Sequence, residues 1–114
     1  MTKDQLLSIV EDASVTAVVV DAVKRFPFAE DVFYAAMWRI ARDFNCGEVV
    51  EDTDPVRRLL FLRPNKVAKS PGLLVKYYEG VDQENYPIIL LEWAHYFDYD
   101  EAQAATPRAY VANG

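Results

Sequence analysis

The sequence predicts an α+β domain: N-terminal helices packed on one face of a three- or four-stranded antiparallel meander. Two observations predict it. Up to residue 45 the apolar side chains recur at helical spacing, and from residue 55 they fall into short runs separated by Pro, Gly and Asn. The 114 residues contain no repeat or linker, so the chain reads as a single domain, 1–114, with a mainly helical part (1–45), an antiparallel sheet (55–97) and a tail (106–114).

Each element follows from local chemistry. Thr2 and Gln5 have capping-box spacing ahead of Leu6, Leu7, Val10 and Ala13, which predicts a short helix over 3–12. Ser14 is placed to cap a second helix, 15–25, with Val15, Val18, Val19, Ala22, Val23 and Phe26 spaced for one face; the β-branched content of this segment also permits a strand. Pro27 suits a helix start, Glu30 and Asp31 complement the helix dipole, and Val32, Phe33, Ala36, Met37, Ile40, Ala41 and Phe44 form an apolar stripe. Together they predict a helix over 28–45 that stops at Cys46-Gly47.

Three strands follow, at Val56–Leu62, Leu73–Glu79 and Pro87–Tyr96. The unalternating run Ile88-Ile89-Leu90-Leu91 predicts a strand covered on both faces. One or two helical turns are expected at Asp98–Ala105.

Composition limits the class. With 52% apolar and 13% aromatic residues the chain is globular and not disordered. Its single cysteine, Cys46, precludes an internal disulfide and fits a reducing compartment. No apolar run reaches the length of a signal core or a membrane span, so the expected setting is cytoplasmic, with no membrane partner.

The charge distribution is uneven. Residues 1–54 hold eleven acids and five bases, 55–78 hold six bases and no acid, and 79–114 hold seven acids and one base. The three parts carry −6, +6 and −6, which sum to the net −6. Arg57, Arg58, Arg63, Lys66, Lys69 and Lys76 therefore form a basic hairpin on an acidic body, suited to phosphate or carboxylate, with Tyr77 and Tyr78 placed to stack on bases. The same cations also suit two structural roles: guarding an edge strand against pairing, or pairing with the protein's own acids.

Candidates for chemistry are few. His95, the one histidine, is a candidate general acid or base at the end of the third strand, or a packing residue beside Trp93, Tyr96 and Phe97. Arg108 and Tyr110 in the tail supply what a metal-independent ribonuclease needs, a cation for phosphate and a proton donor. No metal-ligand spacing, phosphate loop or dinucleotide motif is present, so neither a metal nor a cofactor is expected.

Leu-Leu-Val-Lys-Tyr-Tyr-Glu (73–79), Ile-Ile-Leu-Leu-Glu-Trp-Ala-His (88–95) and Asp-Tyr-Asp-Glu-Ala (98–102) give the chain a resemblance to the RelE/ParE toxin superfamily, over about residues 60–110. ParE-type members end a core strand with an apolar run and a His, followed by an Asp-aromatic-x-Glu-Ala sequence. The resemblance implies a small toxin that meets the ribosome and mRNA, or gyrase, and is neutralised by an antitoxin. It also implies that Arg57, Arg63 and Lys66 grip the target, with His95 or Arg108 near the active end. Members of the family usually open with a strand that pairs into the sheet and are typically basic; here residues 1–26 read as helical and the pI is about 4.7.

A second reading is a non-enzymatic interaction protein, an inhibitor, immunity protein or phage- or plasmid-borne antagonist. It rests on the acidic flanks and on the aromatics Trp38, Tyr77, Tyr78, Tyr86, Trp93, Tyr96 and Tyr99, residue types that make interface hot spots. A third is a homodimer built on helix 28–45.

Overall fold

The computed structural model describes residues 8–98, and within them the α+β class holds. The elements are β1 (Ser8–Glu11), α1 (Ala13–Arg25), α2 (Ala29–Arg42), β2 (Glu48–Val50), β3 (Arg57–Leu62), β4 (Gly72–Val81) and β5 (Pro87–Phe97), with a 3₁₀ turn at Phe44–Cys46. The sheet has the order β1-β5-β4-β3-β2. It is five-stranded and mixed, in place of a three- or four-stranded antiparallel one, because β1 joins β5 in parallel. The other three pairings are antiparallel.

Part of the segment expected as a helix over 3–12 is therefore a strand. Ser8–Glu11 aligns with Ile88–Leu91, and the Asp12 amide donates to the Leu91 carbonyl at 3.0 Å. A short helix gains only its own hydrogen bonds, whereas a strand beside β5 also satisfies that strand's otherwise open edge, so the tertiary partner wins. The Thr2–Gln5 capping pair lies outside the described residues.

Asp12, not Ser14, caps α1. Its carboxylate accepts from the Ser14 amide at 2.9 Å and the Ser14 hydroxyl at 2.6 Å, and these bonds hold its pKa below the ordinary value. Val15, Val19 and Ala22 are buried at helical spacing. That settles the helix-or-strand ambiguity of 15–25: one stripe suffices for packing, with Val18 at its margin, while Val20 and Val23, the latter expected on the packed face, are exposed.

The buried stripe of α2 is Ala29, Phe33, Ala36 and Ile40. Glu30 and Asp31 lie in its first turn and Arg39 and Arg42 in its last, as the dipole favours. The helix ends at Arg42, earlier than expected, where the Asp43 carboxylate accepts from the Asn45 amide at 3.1 Å and starts the 3₁₀ turn.

Both helices pack on one face of the sheet, against Leu60, Leu73, Val75, Tyr77, Ile89, Leu91, Ala94 and Tyr96. Leu59, Leu74 and Phe97 form a smaller cluster, supported by Val50, Phe61 and Trp93. Strand alternation puts this cluster on the opposite face.

The two-faced character of β5 has a specific cause. Lys76 is paired with Trp93 and Tyr77 with Leu91, so Glu92 is an extra residue in a β-bulge. The bulge reverses the alternation: Ile89 and Leu91 face the helices before it, and Ala94 and Tyr96 after it. Trp93, His95 and Phe97 are thereby turned to the face away from the helices.

Among the described residues, no helix is long and apolar enough to cross a membrane. The helical turns expected at 98–105 and the tail 106–114 fall outside the described residues, apart from Asp98, which has no regular structure.

Candidate functional site

The basic segment divides into three groups with different surroundings. Arg57 and Lys76 form the first, on the face of the sheet away from the helices. Arg57 holds Glu92 with a forked pair of bonds, Nε and Nη2 each at 3.2 Å, and the Lys76 ammonium lies 3.8 Å from the same carboxylate. The Arg57 guanidinium also lies 4.4 Å from the centre of the Tyr78 ring. The hydrogen bond to Glu92 raises the pKa of Arg57 further above its ordinary value. The β-bulge makes the cluster, because it aims the extra residue, Glu92, at cations on the two neighbouring strands.

Arg58 faces the other way, toward the helices. It donates to the Gly47 carbonyl at 2.9 Å and lies over the Phe44 ring at 5.7 Å, pinning the turn after α2 to β3. It is a structural residue. The third group, Arg63, Lys66 and Lys69, is exposed on the loop 63–71 between β3 and β4. The outward positive charge is thus concentrated on the loop, and the segment is not the continuous cationic ridge that its sequence suggests.

The edge-guard role is also displaced. β2 pairs along Arg57–Leu59, so this part of β3 is interior, and the outer strand instead carries Glu48. The carboxylate that answers Arg57 and Lys76 comes from β5 and not from the acidic helices.

Tyr77 is not a stacking platform. It is fully buried on the helix side; its hydroxyl donates to the Phe44 carbonyl at 2.7 Å and accepts from the Gly47 amide at 2.9 Å. Burial, then its contact with Cys46, pushes the phenol pKa up. A Cβ on residue 47 would lie 2.7 Å from the tyrosine oxygen, so only glycine fits beside it. The sequence signal for this role was the Cys46-Gly47 pair, read there only as a helix stop.

His95 lies on the face of Arg57, Glu92 and Lys76, across from Leu74 and one row along from the Lys76–Trp93 pair. Its ring stacks between Trp93 and Phe97 at 6.0 Å from each, and Phe97 stacks on Phe61 at 5.3 Å. The face away from the helices therefore sets a charged cluster beside a largely buried aromatic row that contains His95, whose Nε2 is itself buried. Arg108 and Tyr110 lie outside the described residues. Glu92 was the residue that sequence reasoning missed, since nothing in a run of apolar residues marks a bulge. Among the described residues, no group of three or more His, Cys, Asp and Glu is arranged to hold a metal.

No family model matches the chain, no curated protein matches it and no solved structure matches it.

Proposed function

We propose that this chain is the toxin-like domain of a toxin–antitoxin module, acting in the cytoplasm on the ribosome and its mRNA or on gyrase. The observation that carries this reading is the placement of β1. The family it resembles opens with a strand that pairs into the sheet, and Ser8–Glu11 does so beside the strand that bears Ile88–Leu91 and His95. The face formed by the second half of that strand offers the chemistry of a metal-independent ribonuclease: arginine and lysine to offset phosphate charge, and an imidazole to move a proton. A phosphate that reaches Arg57 and Lys76 must displace Glu92, so first contact with the target falls to Arg63, Lys66 and Lys69. The antitoxin is the expected protein partner.

The test is induced expression in bacterial cells. Growth should arrest, and Arg63→Ala with Lys66→Ala and Lys69→Ala should relieve the arrest while the variant still accumulates in folded form. Unimpaired growth at high levels of folded protein would overturn the reading.

One observation favours a second reading, a non-enzymatic interaction protein. Arg57, Arg58 and Lys76 are each held by the molecule itself, while Tyr34 and Trp38 stand exposed one turn apart on α2. Capture of one stoichiometric protein partner, lost on Trp38→Ala and with no growth arrest, would select it.

A further inference from the structure

The outward side of α2 carries charges of opposite sign at its two ends and aromatic surface between them. With about 3.6 residues per turn, Asp31, Tyr34, Ala35, Trp38 and Arg42 fall on one stripe, opposite the buried Phe33, Ala36 and Ile40. All five are exposed, Tyr34 by 55% and Trp38 by 54%. Trp38 and Arg42 meet one turn apart, with the guanidinium 5.3 Å from the ring centre. A guanidinium stacked by its flat face keeps its in-plane N–H donors. Neither Asp31 nor Arg42 has an ion pair among the described residues.

The stripe is its own complement. Asp31 lies four residues before Ala35, and Arg42 lies four residues after Trp38. Two copies of α2 set antiparallel about a two-fold axis midway between Ala35 and Trp38 therefore place Asp31 of each copy against Arg42 of the other. The same operation sets Trp38 of each copy against Ala35 of the other, a large side chain facing a small one, which lets two helices approach closely. A parallel pairing would oppose like charges at both ends.

We propose that α2 is a homodimerisation surface, its occupant a second copy of this chain docked antiparallel through this stripe. A closed two-fold contact needs one patch that complements itself, and the symmetric placing of opposite charges meets that need. A foreign partner imposes no such symmetry. The aromatic centre supplies most of the affinity. The exposed end charges contribute little each and set the orientation. With 14 residues α2 is about 21 Å long, which buries less than a standard interface, so the dimer is weak, with a Kd of roughly 100 µM. The proposal stands apart from the toxin reading: it uses none of Arg63, Lys66 and Lys69, and either can fail alone.

The experiment is sedimentation equilibrium of the whole chain from about 10 µM to about 1 mM. Salt at about 0.15 M screens the repulsion between two bodies of net −6 beyond about 8 Å. The wild-type chain should pass from monomer to dimer over this range, and Trp38→Ala should weaken the dimer by about ten-fold or more. Asp31→Lys and Arg42→Glu should each weaken it by about three- to ten-fold, since by symmetry each change creates two repulsive contacts. Mixed in equal amounts, these two variants should associate within about two-fold of wild type, because every end contact then joins opposite charges again. Both changes oppose the helix dipole, so circular dichroism must show each variant folded.

A monomer at every concentration would overturn the proposal and leave the stripe to a foreign partner or to solvent. A dimer that Trp38→Ala leaves unchanged would overturn it by placing the contact elsewhere. A mixture of the folded charge variants that associates no better than either alone would overturn the antiparallel docking.

Discussion

Tyr77 and Tyr96 illustrate how two polar atoms are accommodated in an apolar core. Tyr96 donates to the Ala29 carbonyl at 2.8 Å, in the first turn of α2, and Tyr77 bonds Phe44 and Gly47 at that helix's far end. The two phenols thus tie β5 and β4 to opposite ends of one helix. Tyr77→Phe leaves the Gly47 amide without its tyrosine acceptor and should destabilise the fold by about 1–3 kcal/mol in urea denaturation. Burial is the main cause that pushes both phenol pKa values up. A raised folded pKa means that the unfolded tyrosine, which titrates near 10, loses its proton first. The stabilisation is therefore whole below pH ~10 and declines as pH rises from there towards the folded values. Each Tyr→Phe change should flatten the alkaline loss of stability by about 1.4 kcal/mol per pH unit; an unchanged slope would contradict this assignment.

At the scale of the element, β5 and its bulge organise the molecule. One inserted residue gives the strand two differently directed halves, and it puts a carboxylate within reach of cations on β3 and β4. The three charges are only partly exposed, with side-chain exposures of 20% for Arg57, 23% for Lys76 and 33% for Glu92, so solvent screens them incompletely. Glu92→Ala strands two half-buried cations and should cost roughly 1–2 kcal/mol by chemical denaturation, discounted for the remaining solvent. Glu92→Gln keeps an acceptor for Arg57 and should cost less. Equal stability of all three proteins would show that the cluster is a surface accident.

At the scale of the whole molecule, a single core joins helices and sheet. Val15, Phe33 and Ile40 share one buried cluster with strand residues Leu73, Ile89 and Tyr96. Neither layer can bury its apolar face without the other. Unfolding in urea should therefore be a single transition, coincident by far-ultraviolet circular dichroism, which reports mainly the helices, and by the fluorescence of Trp93 on β5 in a Trp38→Phe background. Two separated transitions would mean that the helical hairpin and the sheet hold together independently. The outward charge also belongs to this scale: a body of net −6 presents its exposed loop cations at the β3–β4 connection, and this polarity is what the proposed target would sense.

The sequence by itself determined the class, a helix over 28–45 that the structure ends at Arg42, and the three long strands, because those features depend on the period of apolar residues and on Pro, Gly and cap chemistry nearby in the chain; whether 15–25 is helix or strand it left open. It also determined where the positive charge is concentrated. Tertiary structure decided the rest. β1 is four residues whose conformation is chosen by β5, some 80 positions later, and no local pattern reports such a partner. The bulge at Glu92 is one residue of register, and only the pairing shows that it turns His95 away from the helices and sets one carboxylate against both Arg57 and Lys76. Tyr77 looked like an exposed stacking residue because alternation fixes that neighbouring residues differ in direction, but not which of them faces the core. Composition shows how much charge a segment has; whether that charge faces a ligand or the protein's own carboxylate depends on distances in three dimensions, where Coulomb attraction acts regardless of separation along the chain.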